Sequence, residues 1–326
     1  MTARWPAAAL LAAAACYVTC PAVAGPLAFV TNQGPDTVSV LDLARGETRA
    51  TVKVGKDPAG VAWDPRHQRV FVTNPSGASV SVIDVAQPDR AHSFPSGKSP
   101  LGIAVDPVRD RVYVADFYDR QVEIFSTADF SPQGRLQVGN TPSGLAPTAD
   151  GRWLAVANRD DDTVALVELA NGRTAATIKV GGHPFGLTLS PDNRTLYSAN
   201  VTSNDVSVVD LTARVEVRRI KVGEAPYASA WDPRRQRLFV TNQQGGSVSV
   251  VNPGTGETVG TITVGDYPEG IQYSPTLDRV FVASWFDNAL YEINPESLRV
   301  ERILPCGDGS RAFGVFIAES PRPAPP

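Results

Sequence analysis

Few residues in this chain are suited to moving a proton or holding a charge in a confined place. His67, His92 and His183 are its histidines, and Cys306 is the one thiol beyond residue 24. Glu269, Arg311 and Tyr267 supply a carboxylate, a guanidinium and a phenol. With Glu269 or His183 as general base, and Arg311 and Tyr267 steadying negative charge, such a set would serve a lyase or hydrolase. A second group, Phe185, Tyr227, Phe313, Trp285, Phe117 and Tyr118, offers aromatic faces. Mixed with the same polar residues, those faces suit the binding of a small ligand, a peptide or a partner protein. There is no H-E-x-x-H, no CxxC and no G-x-S-x-G in a strand-to-helix setting, so neither a metal nor a cofactor is expected.

What must hold these residues in place is a repeat. Asn32, Asn74, Asp116, Asn158, Asn200, Asn242 and Ser284 follow one another at intervals of 42 residues, each closing a run such as Phe71-Val-Thr-Asn74. A second ladder, Pro58, Pro100, Pro142, Pro184, Pro226 and Pro268, keeps the same interval, mostly inside Pro-x-Gly. One repeat reads as four short strands: Gly102–Val105, Arg111–Ala115, Val122–Phe125 and a weaker stretch around Arg135–Val138. Turn dipeptides separate them. Seven copies of a four-stranded unit predict an all-β, seven-bladed β-propeller with antiparallel blades. The sequence enters on a second-strand run, Leu27–Val30, and its last strand-like run, Gly314–Ala318, resembles a first strand. The two are expected to complete one blade in a three-plus-one closure that leaves no open edge.

In a propeller the strands are scaffold, and departures from the repeat at the loops make the site. The residue inside Pro-x-Gly should ring the channel mouth: Ala59, Leu101, Ser143, Phe185, Tyr227, Glu269 and, across a two-residue insertion in the last copy, Phe313. The residue before the Pro gives an outer ring of Asp57, Ser99, Thr141, His183, Ala225, Tyr267 and Arg311, with Ala312 in place of the Pro. The second-to-third-strand loops add Phe117 and Tyr118 in one copy, Trp285 and Phe286 in another. The same residues have a structural use, since aromatics can plug a channel and Glu269 can pair with Arg311. Arg69, Arg111, Arg152, Arg194, Arg237 and Arg279 recur on the opposite face, where Asp64, Asp106, Asp110 and their counterparts predict a solvated, charge-balanced surface.

Val30-Thr-Asn32 with Thr37–Asp42, Val72-Thr-Asn74 with Ser79–Asp84, and Val240-Thr-Asn242 with Ser247–Val251 resemble the YVTN β-propeller repeat family, over essentially the whole chain after residue 24. The resemblance implies the fold and leaves function open. It includes periplasmic proteins of the YncE type, for which DNA binding has been suggested, and propellers associated with quinoprotein oxidation. Propeller lactonases gather several carboxylate, Asn or His ligands at the channel, where this inner ring offers Glu269 alone. Streptogramin B lyases, also seven-bladed, depend on histidines without obvious counterparts here.

Residues 1–24 read as a signal peptide: Arg4, an apolar stretch Pro6–Val18 and an Ala22-Val23-Ala24 cleavage site, with neither the length for a membrane span nor a lipoprotein box at Cys16 or Cys20. The propeller is expected over 25–320, in the periplasm or secreted, followed by a disordered Pro-rich tail, 321–326. Cys306 then lacks an intrachain disulfide partner and is expected to be buried and inert. The whole chain carries a net charge of −4. That balance, with cations mainly opposite the aromatic face, argues against single-stranded nucleic acid as partner. A closed ring has no need to assemble, so a monomer is expected.

Overall fold

A computed structural model describes residues 25–319; the expected leader and Pro-rich tail lie outside the described residues. Seven sheets, antiparallel apart from one strand added to blade 1, follow one another around an axis, as the repeat predicts. The innermost strands are Gly60–Asp64 in blade 1, Pro100–Asp106 in blade 2, Pro142–Pro147 in blade 3, Pro184–Leu189 in blade 4, Pro226–Asp232 in blade 5 and Pro268–Ser274 in blade 6. Blade 2 then runs outward through Arg111–Asp116, Gln121–Ser126 and Pro132–Gln137, so all four strands read from the sequence are present.

The repeated residues explain the blade. Asn32, Asn74 and Asn242 each donate from Nδ2 to two hydroxyls on the third strand: Thr37 and Ser39 at 3.0 Å each, Ser79 and Ser81 at 3.1 and 3.0 Å, Ser247 and Ser249 at 3.0 and 2.9 Å. Two of their Oδ1 atoms accept from the loop entering the blade, where Gly307 and Gly223 donate to Asn32 and Asn242 at 2.9 and 3.0 Å. Hydroxyls spaced two apart on a strand share a face, which is why the third strand reads Thr-Val-Ser-Val or Ser-Val-Ser-Val. The Thr before each of these Asn residues links neighbouring blades: Thr73 Oγ1 donates to the Leu101 carbonyl at 2.8 Å and Thr241 Oγ1 to that of Glu269 at 3.0 Å. Between blades, second-strand rings at multiples of 42 residues, Phe29, Phe71, Phe239 and Phe281, are fully buried.

Inner strands approach so closely that the Gly of Pro-x-Gly has no room for a side chain. A Cβ on Gly102 would stand 1.7 Å from the Ser143 carbonyl oxygen, and one on Gly144 2.2 Å from that of Phe185. Most of the residues just before the Pro take left-handed backbone conformations, His183 and Tyr267 among them, with φ of 52° and 57°.

Blade 7 joins the chain ends as expected, Leu27–Asn32, Thr37–Asp42 and Glu47–Lys53 taking their inner strand from the C-terminal segment. That strand is interrupted. Ser310–Arg311 and Ile317–Ala318 pair with Asn32–Thr31 and Ala28–Leu27, whereas Phe313–Val315 leaves to pair in parallel with Gly60–Ala62 of blade 1. The pairings correct the reading of the last copy. Ser310 stands opposite Asn32 as Pro268 stands opposite Ser284, so the 42-residue interval runs on through Arg311 and the two extra residues come after it. Arg311, placed above in the outer ring, is therefore the seventh inner-ring residue, and Gly309 holds the outer place. Phe313 is an additional residue that the insertion pushes toward the axis.

Candidate functional site

The first residue of every second-to-third-strand loop, Gln33, Pro75, Phe117, Arg159, Val201, Gln243 and Trp285, borders one basin of about 610 Å³ at the channel mouth. These seven again lie 42 apart; the sequence reading took up only Phe117 and Trp285, although the position after the Asn ladder marks the others. Tyr118, Leu101, Phe185, Tyr227, Glu269 and Arg311 complete much of the lining. Of the residues proposed from sequence, seven meet here: Phe117, Tyr118, Phe185, Tyr227, Glu269, Trp285 and Arg311. Phe313 does not line the basin.

The polar centre joins blades 5, 6 and 7. The Arg311 guanidinium binds both Glu269 oxygens, through Nε to Oε2 and through Nη2 to Oε1 at 3.1 Å, and Nη2 also donates to the Tyr227 hydroxyl at 3.0 Å. Gln243 Nε2 donates to Glu269 Oε1 at 2.7 Å. Glu269 is fully buried and the Arg311 side chain is 13% exposed, so the pair is largely shielded from bulk water. A two-point fork fixes orientation as well as charge. The backbones are fixed too, because Thr31 Oγ1 donates to the Arg311 carbonyl at 2.9 Å, as Thr241 does to that of Glu269. Burial works against the charge of Arg311, but Glu269 and Tyr227 more than offset it and its pKa rises. Burial first, and then the Glu269 carboxylate, push the Tyr227 hydroxyl well above the usual phenol range. Tyr227 thus keeps its proton, and among the described residues that proton has no acceptor.

Phe185 and Tyr227, ring centroids 4.2 Å apart, close the floor, and Phe313, which lines the cavity on their other side, packs against them at 4.9 and 5.6 Å. They form a layer across the axis, the plugging use that the aromatic arc also allowed. Two aromatic groups stand above it on well-separated blades. Phe117 and Tyr118 meet edge-on in blade 2, Tyr118 being 73% exposed. Trp285 and Phe286 stack in blade 6 at 5.1 Å, Phe286 being 58% exposed. The Arg311 guanidinium carbon lies 4.7 Å from the Trp285 ring centre, so the polar centre and one aromatic group are a single unit.

His183 and Tyr267 do not join them. Tyr267 packs behind the wall against Phe286 at 4.7 Å. His183 sits in the loop entering blade 4, its backbone N–H donating to Asp162 at 2.8 Å and its Nδ1 buried without a partner among the described residues. The four residues of the possible catalytic set are thus split, Glu269 with Arg311 in the basin and the other two outside it. Among the described residues no three His, Cys, Asp or Glu side chains gather as a metal would require.

On the opposite face some of the recurrent arginines make local contacts, while Arg152 and Arg194 are exposed. Arg69 donates to the Thr127 and Ala128 carbonyls of blade 2 at 3.0 Å each, and Arg279 pairs with Glu301 at 2.8 Å. The acids of those turns accept backbone N–H groups, as Asp64 does from Arg66 and Asp232 from Arg234, both at 2.9 Å, and several also pair with other arginines, Asp110 with Arg66 at 2.7 Å and Asp232 with Arg235 at 3.1 Å.

Comparison with known proteins agrees on the architecture. A family model described as lactonase, 7-bladed β-propeller, matches residues 112–215, less than half of the chain. No curated protein matches the sequence. A functionally unknown protein from Desulfotomaculum acetoxidans DSM 771 superposes with a TM-score of 0.76 at 14% identity, covering 88% of this chain and 99% of that one. Kuenenia stuttgartiensis hydrazine synthase gives 0.70 at 17% identity, covering 79% and 90%. The dihydro-heme d1 dehydrogenase NirN in complex with DHE gives 0.68 at 16%, covering 90% and 75%. At such identities the likeness is one of fold.

Proposed function

We propose that this propeller is a binding module whose mouth takes a small, flat-faced ligand or the aromatic side chain of a peptide. The observation that carries the reading is the build of the basin: aromatic groups on blades 2 and 6, an aromatic floor, and one fixed hydroxyl, that of Tyr227, with a proton to give. Flat rings supply area at little entropic cost, and a single fixed donor sets orientation. Glu269 and Arg311 satisfy each other, so they shape and stiffen the floor rather than attack a bond. The repeat signature further supports a place in the YVTN group, and the signal-peptide pattern of residues 1–24 supports a periplasmic or secreted address.

The lactonase-model match favours a second reading, hydrolysis at the same mouth. The matched segment supplies Phe117, Tyr118, Arg159, Phe185 and Val201 to the basin but neither member of the Glu269–Arg311 pair. One set of variants separates the two readings. Trp285→Phe with Tyr118→Ala is expected to weaken ligand binding at least about tenfold, by loss of stacking area. If turnover of a lactone survives Glu269→Ala and His183→Ala, the catalytic assignment to these residues is dead. If binding keeps its full strength in the Trp285→Phe, Tyr118→Ala protein, the binding site is not this basin.

A further inference from the structure

Below the Phe185–Tyr227–Phe313 layer the axis holds a second cavity of about 380 Å³, toward the opposite face. Ile103, Leu145 and Leu187 are among its walls, with Trp63 and Trp231 further down the inner strands. Thr188 and Ser229 also border it but satisfy each other: Thr188 Oγ1 donates to the Ser229 carbonyl at 2.7 Å, and Ser229 Oγ donates back to Thr188 Oγ1 at 2.9 Å. The Tyr273 hydroxyl donates to Asp278 at 2.8 Å. The side chains of these walls are mostly apolar and suit the alkyl part of an occupant.

Gln272 is the departure. The same place in blades 1, 2, 3 and 5 holds Ala62, Ala104, Ala146 and Ala230, and Thr188 in blade 4. Gln272 Oε1 accepts the Phe316 and Ile317 N–H groups at 2.8 and 2.9 Å, clasping the C-terminal strand. Two backbone donors on one oxygen settle which end of the amide is which. The Nε2 group is thereby fixed in direction, and it has no acceptor among the described residues. The channel thus carries a rigidly held N–H pair, and the Trp231 indole N–H in the same lining is also buried without an acceptor among the described residues. A neutral carbonyl satisfies such a donor, whereas a carboxylate would leave its charge with no cation opposite.

We propose that this channel is a ligand site separate from the mouth, taking a neutral, chain-like molecule whose carbonyl oxygen meets Gln272 Nε2 while its alkyl part lies among Ile103, Leu145 and Leu187. Titration calorimetry of the full chain with 2-octanone and with octanoate tests it. The ketone is expected to bind at least about tenfold tighter than the carboxylate. Gln272→Glu keeps both acceptor bonds to the strand and removes the donor, and is expected to weaken the ketone about tenfold. Leu187→Trp fills the channel and is expected to abolish binding, and Trp285→Phe at the mouth is expected to leave it unchanged. No ketone binding by the wild type, equal affinity for octanoate, or loss of binding in Trp285→Phe each overturn the proposal. So does ketone binding unaltered in a folded Gln272→Glu protein. Should that variant not fold, the ketone-to-octanoate ratio of the wild type and the Leu187→Trp result decide.

Discussion

Replacing Glu269 by Gln removes one charge from the floor of the mouth while keeping its shape. Arg311, 13% exposed, is then left with a full positive charge and only neutral partners, the introduced amide and the Tyr227 hydroxyl. Breaking a buried pair from one side costs about 3 kcal/mol or more, because the stranded ion keeps its desolvation penalty. With roughly 2 cal/mol/K of unfolding entropy per residue, a ring of this length loses about 1.6 °C per kcal/mol, so Tm is expected to fall by about 5 °C. Arg311→Met is expected to cost more, since Glu269 is fully buried and keeps only Gln243 as donor. Glu269→Leu combined with Arg311→Met should recover stability to within about 1 kcal/mol of wild type, because no charge is stranded. Thermal and urea melts followed by circular dichroism, with m unchanged, provide the measurement. If Glu269→Gln melts within about 0.5 kcal/mol of wild type, or if the double variant is worse than both single ones, the pair is not shielded and this account of the floor fails.

Gly102→Ala pushes a methyl group into the Ser143 carbonyl and is expected to cost about 3 kcal/mol; Ala228→Gly, at the matching place in blade 5, is the near-neutral control in the same melts. Asp278 accepts both ends of the Arg235 fork at 2.9 Å each, and this hydrogen bonding holds its carboxyl below the usual carboxylate range. A carboxyl with a depressed folded pKa stabilises fully above its unfolded value, near about 3.9, and the benefit disappears as pH falls through the folded value. Asp278→Asn should therefore flatten the acid limb of a stability-against-pH curve, and an unchanged limb counts against the clasp. Burial pushes the Cys306 thiol up to about 12, so alkylation by iodoacetamide at about pH 8 is expected to run roughly a thousandfold slower than for a free thiol; labelling at the free rate in the folded protein contradicts the burial.

The ring was legible in the sequence because each blade is a local object. Its turns, its Asn-to-hydroxyl bonds and its strand alternation all lie within one 42-residue unit, so phase alone reveals them. The position of the extra residues in the last copy was not, because it depends on a pairing between Asn32 and Ser310 from opposite ends of the chain. Counting back from Phe313-Gly314 places Arg311 on the outer ring, from which pairing with Glu269 is one option; the strand pairing places it on the same ring as Glu269, one blade and 42 residues away, and the pair is formed. Whether Phe185, Tyr227 and Phe313 wall a hole or fill it depends on ring-to-ring packing across the axis, which no spacing encodes. Gln272 was invisible for a different reason: its place in the repeat is an interior one, and departures were sought at the loops.

The interrupted closing strand also bears on how the ring comes into being. Residues 310–318 are made after everything they hold together, and they grip two blades at once, blade 7 by antiparallel pairing and blade 1 by parallel pairing. Until they dock, Leu27–Asn32 has one flank unpaired and the inner strand of blade 1 lacks its neighbour across the seam. The slowest step of assembly therefore falls on the contacts of longest sequence separation, with raw strand edges waiting meanwhile. Once docked, the seam opens only by releasing both grips, so the joint that is hardest to make is also the one that locks the circle against unzipping.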